Sequence, residues 1–519
     1  MIKDKIVQNI IFGLSLLTLF IFVISPIISI LIESTLLNYV DIINVKTLNI
    51  LINSIKLASI VALLSTIIGG FFAYLLTKTD ISLGKFYKLL LLSPLFISPY
   101  ILTLAWVDFF NLFSSGRDFI YSFWGVVLVH TFVFSPLAMI VISNGLLQIN
   151  SRLEESALMF CEYKDVLFQI VIPLIKPSIV SSLILIFTLS ISEFSVPIFL
   201  SVEVLTTEIF REFSAFYNYS LAVANSIILL FISIFLLLGE QRIISNSLKF
   251  QTSSTISYTK VLKLKRYKNL LKYISLLYIF ISIIIPILVL LSQSLQDINN
   301  LYKAFTLLSP HILNSLLYAL IGSFFLTIFG FIFAYISRVH SFMAKYIDTI
   351  LLLTFAIPST VLGIGLIKFF NKSSLDFIYS TFWIIIIAYF GKFIFISYKI
   401  IQNSLKEIPN SIEESALILG AGFFTRVQKI YIPLLSNSLK LTVIITFILS
   451  LGELGATILV YPAGSSVMGI KIYTIMANAP IGLTSAMSLV LLVVTIMALM
   501  ILNYLIYISS TLSKNHQHF

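Results

Sequence analysis

Six glutamates fall into two matched sets along this chain, and their placement decides what chemistry it can offer. Glu154-Glu155 and Glu413-Glu414 each open the run Glu-Glu-Ser-Ala-Leu, and each run is followed further on by Ile-Pro-Leu. Glu193 and Glu453 stand singly inside apolar stretches beyond those runs, at equivalent places. A charge in an apolar span costs several kcal/mol unless it is paired or faces a cavity. Two such carboxylates, with Ser192 and Ser195 beside one and Gly452 beside the other, suit a route that favours a cation; the other use open to them is to bond neighbouring helices or outer-loop amides. The paired glutamates, on polar segments, suit docking to something outside the bilayer. Other chemistry finds no residues. There is no phosphate-cradling Gly-x-x-x-x-Gly-Lys-Ser/Thr run and no Ser-His-Asp or paired-carboxylate constellation, so no catalytic residue is assigned. Cys161 is the single cysteine, and His130, His311, His340, His516 and His518 are scattered, so no metal ligand set is expected.

The elements that carry these glutamates follow from composition. Of 519 residues, 59% are apolar and 11% charged, more than a soluble core absorbs. The chain reads as an all-α polytopic membrane protein with the lipid bilayer as its first partner, since apolar runs of about 20 residues recur and no barrel-like alternation does. Twelve spans are expected, at roughly 8–32, 52–77, 86–113, 120–147, 174–200, 222–244, 270–293, 313–337, 345–370, 381–404, 436–461 and 482–510. With the N-terminus inside, most of the 33 lysines and arginines fall on the cytoplasmic side, which places both termini there. The formal net charge of +11 therefore reports topology, and nucleic acid is set aside as a partner. Asp108, Lys56 and Lys392 lie toward expected span edges.

The chain is one unit written twice. Asn53-Ser54 and Ala73-Tyr74 recur in register as Asn314-Ser315 and Ala334-Tyr335, Asp118–Trp124 resembles Asp376–Trp383, and Pro99 matches Pro358. Six spans per unit make the repeats parallel, with the transport route expected between them. The domains are residues 1–244, a basic cytoplasmic linker over 245–268 carrying Lys260, Lys263, Lys265, Arg266 and Lys268, and residues 269–519.

Between the fourth and fifth spans of each unit, near 150–173 and 409–433, a polar stretch opens with Ser151-x-x-Glu154 or Asn410-x-x-Glu413. This spacing predicts a capping box and a short helix, closed downstream by Pro173 or Pro433. Pro197 is expected to interrupt the helix near Glu193.

Glu414-Ser415-Ala416-Leu-Ile-Leu-Gly420 through Pro433, and Glu155-Ser156-Ala157-Leu-Met-Phe-Cys161 through Pro173, resemble the Glu-Ala-Ala loop of permease subunits of bacterial ATP-binding-cassette importers. The resemblance implies a type I importer permease of the cytoplasmic membrane, not itself an enzyme. Each loop would form a coupling helix that seats in one of two ATPase copies, with Ser156-Ala157 and Ser415-Ala416 as its small face. ATP and Mg2+ would be bound by that ATPase, and this chain would hold no cofactor. An extracytoplasmic substrate-binding protein is implied as a further partner, with Glu203, Glu208, Arg211 and Glu212 as its candidate contact. Cys161 stands where the family has Gly, and the first loop is one residue shorter, so unequal docks are expected. Two fused units are most similar to ferric-iron permeases. Thiamine, polyamine, phosphonate and sulfate permeases share the layout or the loop, and an ion-coupled secondary transporter is the more distant reading.

Overall fold

The structure is a computed structural model that describes residues 2–33, 45–81, 85–247 and 267–515. Most of the expected linker, with Lys260, Lys263, Lys265 and Arg266, lies outside the described residues, as do His516 and His518. Among the described residues the architecture is helical throughout. Nine helices are long and apolar enough to cross a membrane, or up to twelve if each of three bent pairs counts as one span.

Two compact units form, and they do not follow the linker. One gathers Met1–Asn38, Asn299–Leu483 and Met487–Phe519; the other gathers Tyr39–Ile298 and Thr484–Ala486. The helix that opens each half of the sequence thus packs on the opposite half. Helix Ile2–Leu19 lies against Asn299–Val339, and Ser25–Glu33 against Ser359–Phe370. In the other unit Tyr278 bonds Ser135, packs on Phe72 at 4.7 Å between ring centroids, and Lys268 pairs with Asp80 at 3.0 Å. Beyond their polar first turns these opening helices are apolar on every side, so amphipathicity does not tell which half they join.

Each unit is built on one close helix pair, Val45–Lys78 with Phe123–Leu147 and Asn299–Val339 with Trp383–Glu407. Glycines at twin positions permit the approach. A Cβ on Gly69 would stand 2.4 Å from Ala138 Cβ and 2.5 Å from Ser135 O, and one on Gly330 would stand 2.1 Å from Ser397 Oγ. Close backbones bring polar groups into reach: Ser397 Oγ donates to Leu326 O at 2.7 Å across the pair.

Prolines shape the remaining helices in two ways. Widened π-helical turns at Phe20–Ile24, Leu167–Val171, Phe280–Ile284 and Val427–Tyr431 each end just before Pro26, Pro173, Pro286 or Pro433. A proline lacks an N–H and its ring crowds the carbonyl a turn back, and the wider turn relieves that clash without ending the helix. Elsewhere the chain turns outright. Tyr87–Leu95 and Pro99–Phe110 meet at 98°, Phe342–Ala356 and Ser359–Phe370 at 99°, and Phe423–Leu434 and Ser436–Gly452 at 76°. The spans expected over 86–113 and 345–370 are therefore broken, because Ser98 and Ile357 take the extended backbone that a following proline favours.

Gly69→Val and Gly330→Val are each expected to destabilise the chain by about 2–3 kcal/mol through overpacking. Gly13→Ala, with nothing within 4 Å of its added Cβ, serves as the neutral control. Thermal unfolding in lipid nanodiscs reads the difference.

Candidate functional site

The two polar loops fold as short helices, Ser151–Leu158 and Asn410–Ile418, each followed by a turn and a second short helix, Tyr163–Val166 or Phe423–Arg426. Both are tied to the end of their unit's long helix by the first glutamate of the pair. Glu154 is buried against Lys78, the last residue of Val45–Lys78, and both side chains are almost sealed from solvent. Glu413 takes hydroxyl protons from Tyr335, at 3.0 Å, and from Tyr431, with Arg426 Nε at 3.5 Å and Arg338 Nε at 3.8 Å. Arg338 also donates to Ile408 O at 2.9 Å and Asn410 Oδ1 at 3.0 Å, which fixes where the loop helix starts.

The capping box expected in the second loop does not form. Asn410 Oδ1 faces Arg338 and makes no cap, and Glu413 turns away from the helix start toward the tyrosines, because two cations and two hydroxyls offer it more than one backbone amide. In the first loop Glu154 turns likewise to Lys78. The second glutamates point outward, Glu155 and Glu414 both being exposed.

The expected small face is split. Ser156 and Ser415 are exposed, but Ala157 is half-buried and Ala416 buried, so each alanine packs on its own unit. What the loops present instead is apolar. Met159 and Phe160 are 81% and 88% exposed, and Ile418 and Leu419 are both 86% exposed. Sequence reasoning passed over these four; the signal was four large apolar side chains at the helix ends, beside polar neighbours.

Cys161 and Gly420 end their helices differently. Gly420 has φ +78° and closes a Schellman turn, with Ala421 N donating to Ala416 O at 2.9 Å and Gly420 N to Leu417 O at 3.0 Å. Cys161 keeps a negative φ, and its N–H continues the helical pattern to Ala157 O at 2.9 Å; its side chain is exposed. Pro173 and Pro433, both exposed, follow the widened turns beyond.

Glu193 and Glu453 sit at breaks in the fifth spans. Helix Ile172–Ser192 stops at Glu193 and resumes as Ser195–Phe199; Ser436–Gly452 stops at Glu453 and resumes as Thr457–Val460. Pro197 lies inside the resumed helix, so the interruption precedes it. Each carboxylate caps the amides freed by its own break. Glu193 accepts from Ser195 N at 2.9 Å, Val196 N at 2.9 Å and the Ser195 hydroxyl. Glu453 accepts from Ala456 N at 2.8 Å, Thr457 N at 3.0 Å and the Thr457 hydroxyl. Ser192 is buried and donates to Thr188 O at 2.6 Å, and Gly452 is the last residue of its helix. Glu193 has one partner more: His130, fully buried, lies 3.1 Å from it through Nε2 and 3.2 Å from Ser190 Oγ through Nδ1. His130 is thus not alone in its span, a pairing hidden by 63 residues of separation.

One further buried charge serves the same end. Lys392, expected near a span edge, is buried within Trp383–Glu407 and donates to Ile357 O at 3.0 Å, the carbonyl exposed by the 99° bend. Asp108 is buried within Pro99–Phe110 and takes the Ser485 hydroxyl, while Lys56 is exposed. The serines of the repeated Asn-Ser pairs act on backbone as well. Ser54 Oγ and Ser315 Oγ accept at 2.8 Å from Leu205 N and Met468 N, the first amides of short helices. In the loop around Leu205–Ser214, Arg211 joins Glu203 at 2.8 Å and Glu208, and Lys46 joins Glu208 at 3.0 Å. The hydrogen bond from Arg211 holds the Glu203 carboxyl below its ordinary range, whereas burial, aided by Glu208, pushes Glu212 up. No group of three metal-binding side chains occurs among the described residues.

Residues 65–246 and 326–512 each match the family of binding-protein-dependent transport system inner membrane components. A Fe(3+)-transport system permease protein of Haemophilus influenzae is 25% identical over 422 residues, 79% of this chain and 80% of its own. A ferric transport system permease protein of Actinobacillus pleuropneumoniae is 23% identical over 498 residues, 88% of this chain and 70% of its own. A putative 2-aminoethylphosphonate transport system permease protein of Salmonella paratyphi A is 29% identical over 156 residues, 30% of this chain and 58% of its own.

Lys78→Met or Glu154→Gln alone is expected to cost about 3–5 kcal/mol by stranding a buried charge, and the double variant less than the two singles together. Chemical unfolding of all three checks this. Glu212, raised in the folded chain, is destabilising when ionised and relieved as pH falls toward the ordinary carboxylate range. Glu212→Gln should therefore melt higher than the parent at pH 8, with the gap closing by about pH 4.

Proposed function

The chain belongs to the family of binding-protein-dependent transport system inner membrane components, and we propose that it is the membrane-spanning subunit of an ATP-driven importer, both of its permease units carried on one polypeptide. The loop helices Ser151–Leu158 and Asn410–Ile418 are its coupling helices, each seated in one copy of a separate ATPase that binds ATP and Mg2+. One observation carries this reading: a rigidly held polar helix that ends in large, almost fully exposed apolar side chains, occurring once in each unit. Exposed apolar surface rimmed by polar residues marks a binding face. With Glu154 and Glu413 turned inward as anchors, Glu155, Ser156, Met159 and Phe160 in one loop, and Glu414, Ser415, Ile418 and Leu419 in the other, meet the ATPase. Both termini and both loops lie on the cytoplasmic side, and a binding protein delivers cargo to the opposite face.

Ferric iron is the proposed cargo. The relatives that align over most of this chain are named for it, whereas the phosphonate permease aligns over 30%. Glu193 and Glu453 each hold the break in the fifth span of their own unit; their lone pairs are already taken by backbone amides, hydroxyls and, for Glu193, His130. Selection of the cargo then rests with the binding protein.

Replacing Phe160 and Leu419 together by serine is expected to lower ATP-driven uptake of ferric iron by at least about tenfold, since both are anchors of a docking face, with the melting point unchanged because both are exposed. Uptake by vesicles reconstituted with the ATPase and binding protein tests this; uptake that persists without ATP, driven by an ion gradient, rejects the importer.

A further inference from the structure

We propose that the first helix of the chain positions the second coupling helix, through a hydrogen-bonded relay from Gln8 by way of Tyr335 to Glu413. This rests on the reading of Asn410–Ile418 as a coupling helix. Gln8 Nε2 donates to the Tyr335 hydroxyl at 3.2 Å, and that hydroxyl donates to Glu413 Oε1 at 3.0 Å. A tyrosine hydroxyl has one proton to give. With an amide N–H occupying a lone pair, the proton is left to point at the carboxylate, and each bond of the chain polarises the next. Gln8 is therefore a positioning residue: it touches neither Glu413 nor the exposed tip and acts through Tyr335.

The surroundings make the relay a structural joint. Phe12 packs on His340 at 6.3 Å between ring centroids, and Ile11 and Phe12 line one small cavity with Phe331, Tyr335, Val339 and Phe423. Phe423 opens the short helix just beyond Gly420, and Tyr335 meets it edge to face at 5.5 Å. The same opening segment reaches a break further along, where Ser29 Oγ lies 3.5 Å from Gly365 O in Ser359–Phe370. One element thus touches both the coupling loop and the half-helix after the 99° bend. Its repeat twin is placed otherwise. Lys268, at the position of Gln8, bonds Asp80, and Glu154 is held by Lys78 instead. Control by the opening helix is direct at the second dock and does not take that form at the first.

Gln8→Leu removes the donor at nearly constant volume, and Tyr335→Phe removes the relay. Hydrogen–deuterium exchange of the intact chain in nanodiscs, without ATPase, is expected to quicken about fivefold at amides 410–426 in Gln8→Leu while 151–166 stay unchanged. Gln8→Asn, too short to reach, should behave as Gln8→Leu, and adding either to Tyr335→Phe should change nothing further. Unchanged exchange at 410–426, or equal quickening in both loops, overturns the positioning role, whatever becomes of the transport reading. With the ATPase added, Gln8→Leu should lower the maximal ATPase stimulation several-fold at unaltered affinity for the ATPase. Quickened exchange with stimulation unchanged would keep the relay and reject the loop as a coupling helix. If Tyr335→Phe fails to assemble, the Gln8 variants alone decide the first question.

Discussion

A backbone amide or carbonyl freed inside a bilayer has no water to bond, and the architecture of this chain depends on meeting that constraint at every place where a helix stops. Glu193 and Glu453 supply acceptors to amides at the breaks in the fifth spans, and Lys392 supplies a donor to the carbonyl at the bend before Pro358. Ser54 and Ser315 do the same for the first amides of short helices. At Pro26, Pro173, Pro286 and Pro433 the widened turn itself accommodates the missing bond. Glu193, Glu453 and Lys392 are here components of the backbone's hydrogen bonding first. Whatever they do for cargo is constrained by that prior role.

The same economy of polar contacts governs the loops. A short helix outside the bilayer is marginal by itself, yet Ser151–Leu158 and Asn410–Ile418 must hold shape if motion at their tips is to reach the spans. A buried ion pair in one case and a cluster of two arginines and two tyrosines in the other provide the hold. The two solutions differ in kind: a single pair pivots more readily than a carboxylate fixed from four directions. Gly420 adds a left-handed turn that Cys161 does not adopt.

Much of this was legible in the sequence because it is local or repeated. The duplication, the helical class and the polar loops can all be read from spacing, whereas the widened turns and the bends at prolines were not, since the apolar runs that hold them look continuous. The different helix ends at Gly420 and Cys161 also accord with the unequal loops that the family resemblance led us to expect. What else escaped is non-local. Which face of Glu-Glu-Ser-Ala turns inward depends on Lys78 in one copy and on Arg338 in the other, both far away in sequence. His130 gave no sign of its pairing with Glu193, and Asn410 was drawn away from capping by an arginine on another helix. The exchange of the opening helices was invisible for a different reason. In a span whose protein-facing and lipid-facing sides are equally apolar, pattern carries no address.

That exchange bears on how the chain is made. Helix Ile2–Leu19 finds its main packing partners among residues from Asn299 onward. During synthesis it therefore enters the membrane before those partners exist and is held by lipid until residues from Asn299 onward are translated. The unit containing Tyr39–Ile298, by contrast, has its own opening helix, Lys268–Ile279, soon after its last long span, Tyr219–Ser247. The half translated first can gather early, lacking only Thr484–Ala486 with the Ser485 partner of Asp108, and the half translated last closes on a helix made long before it. A pause or truncation late in translation would leave that first helix unclaimed, a ready mark for membrane quality control.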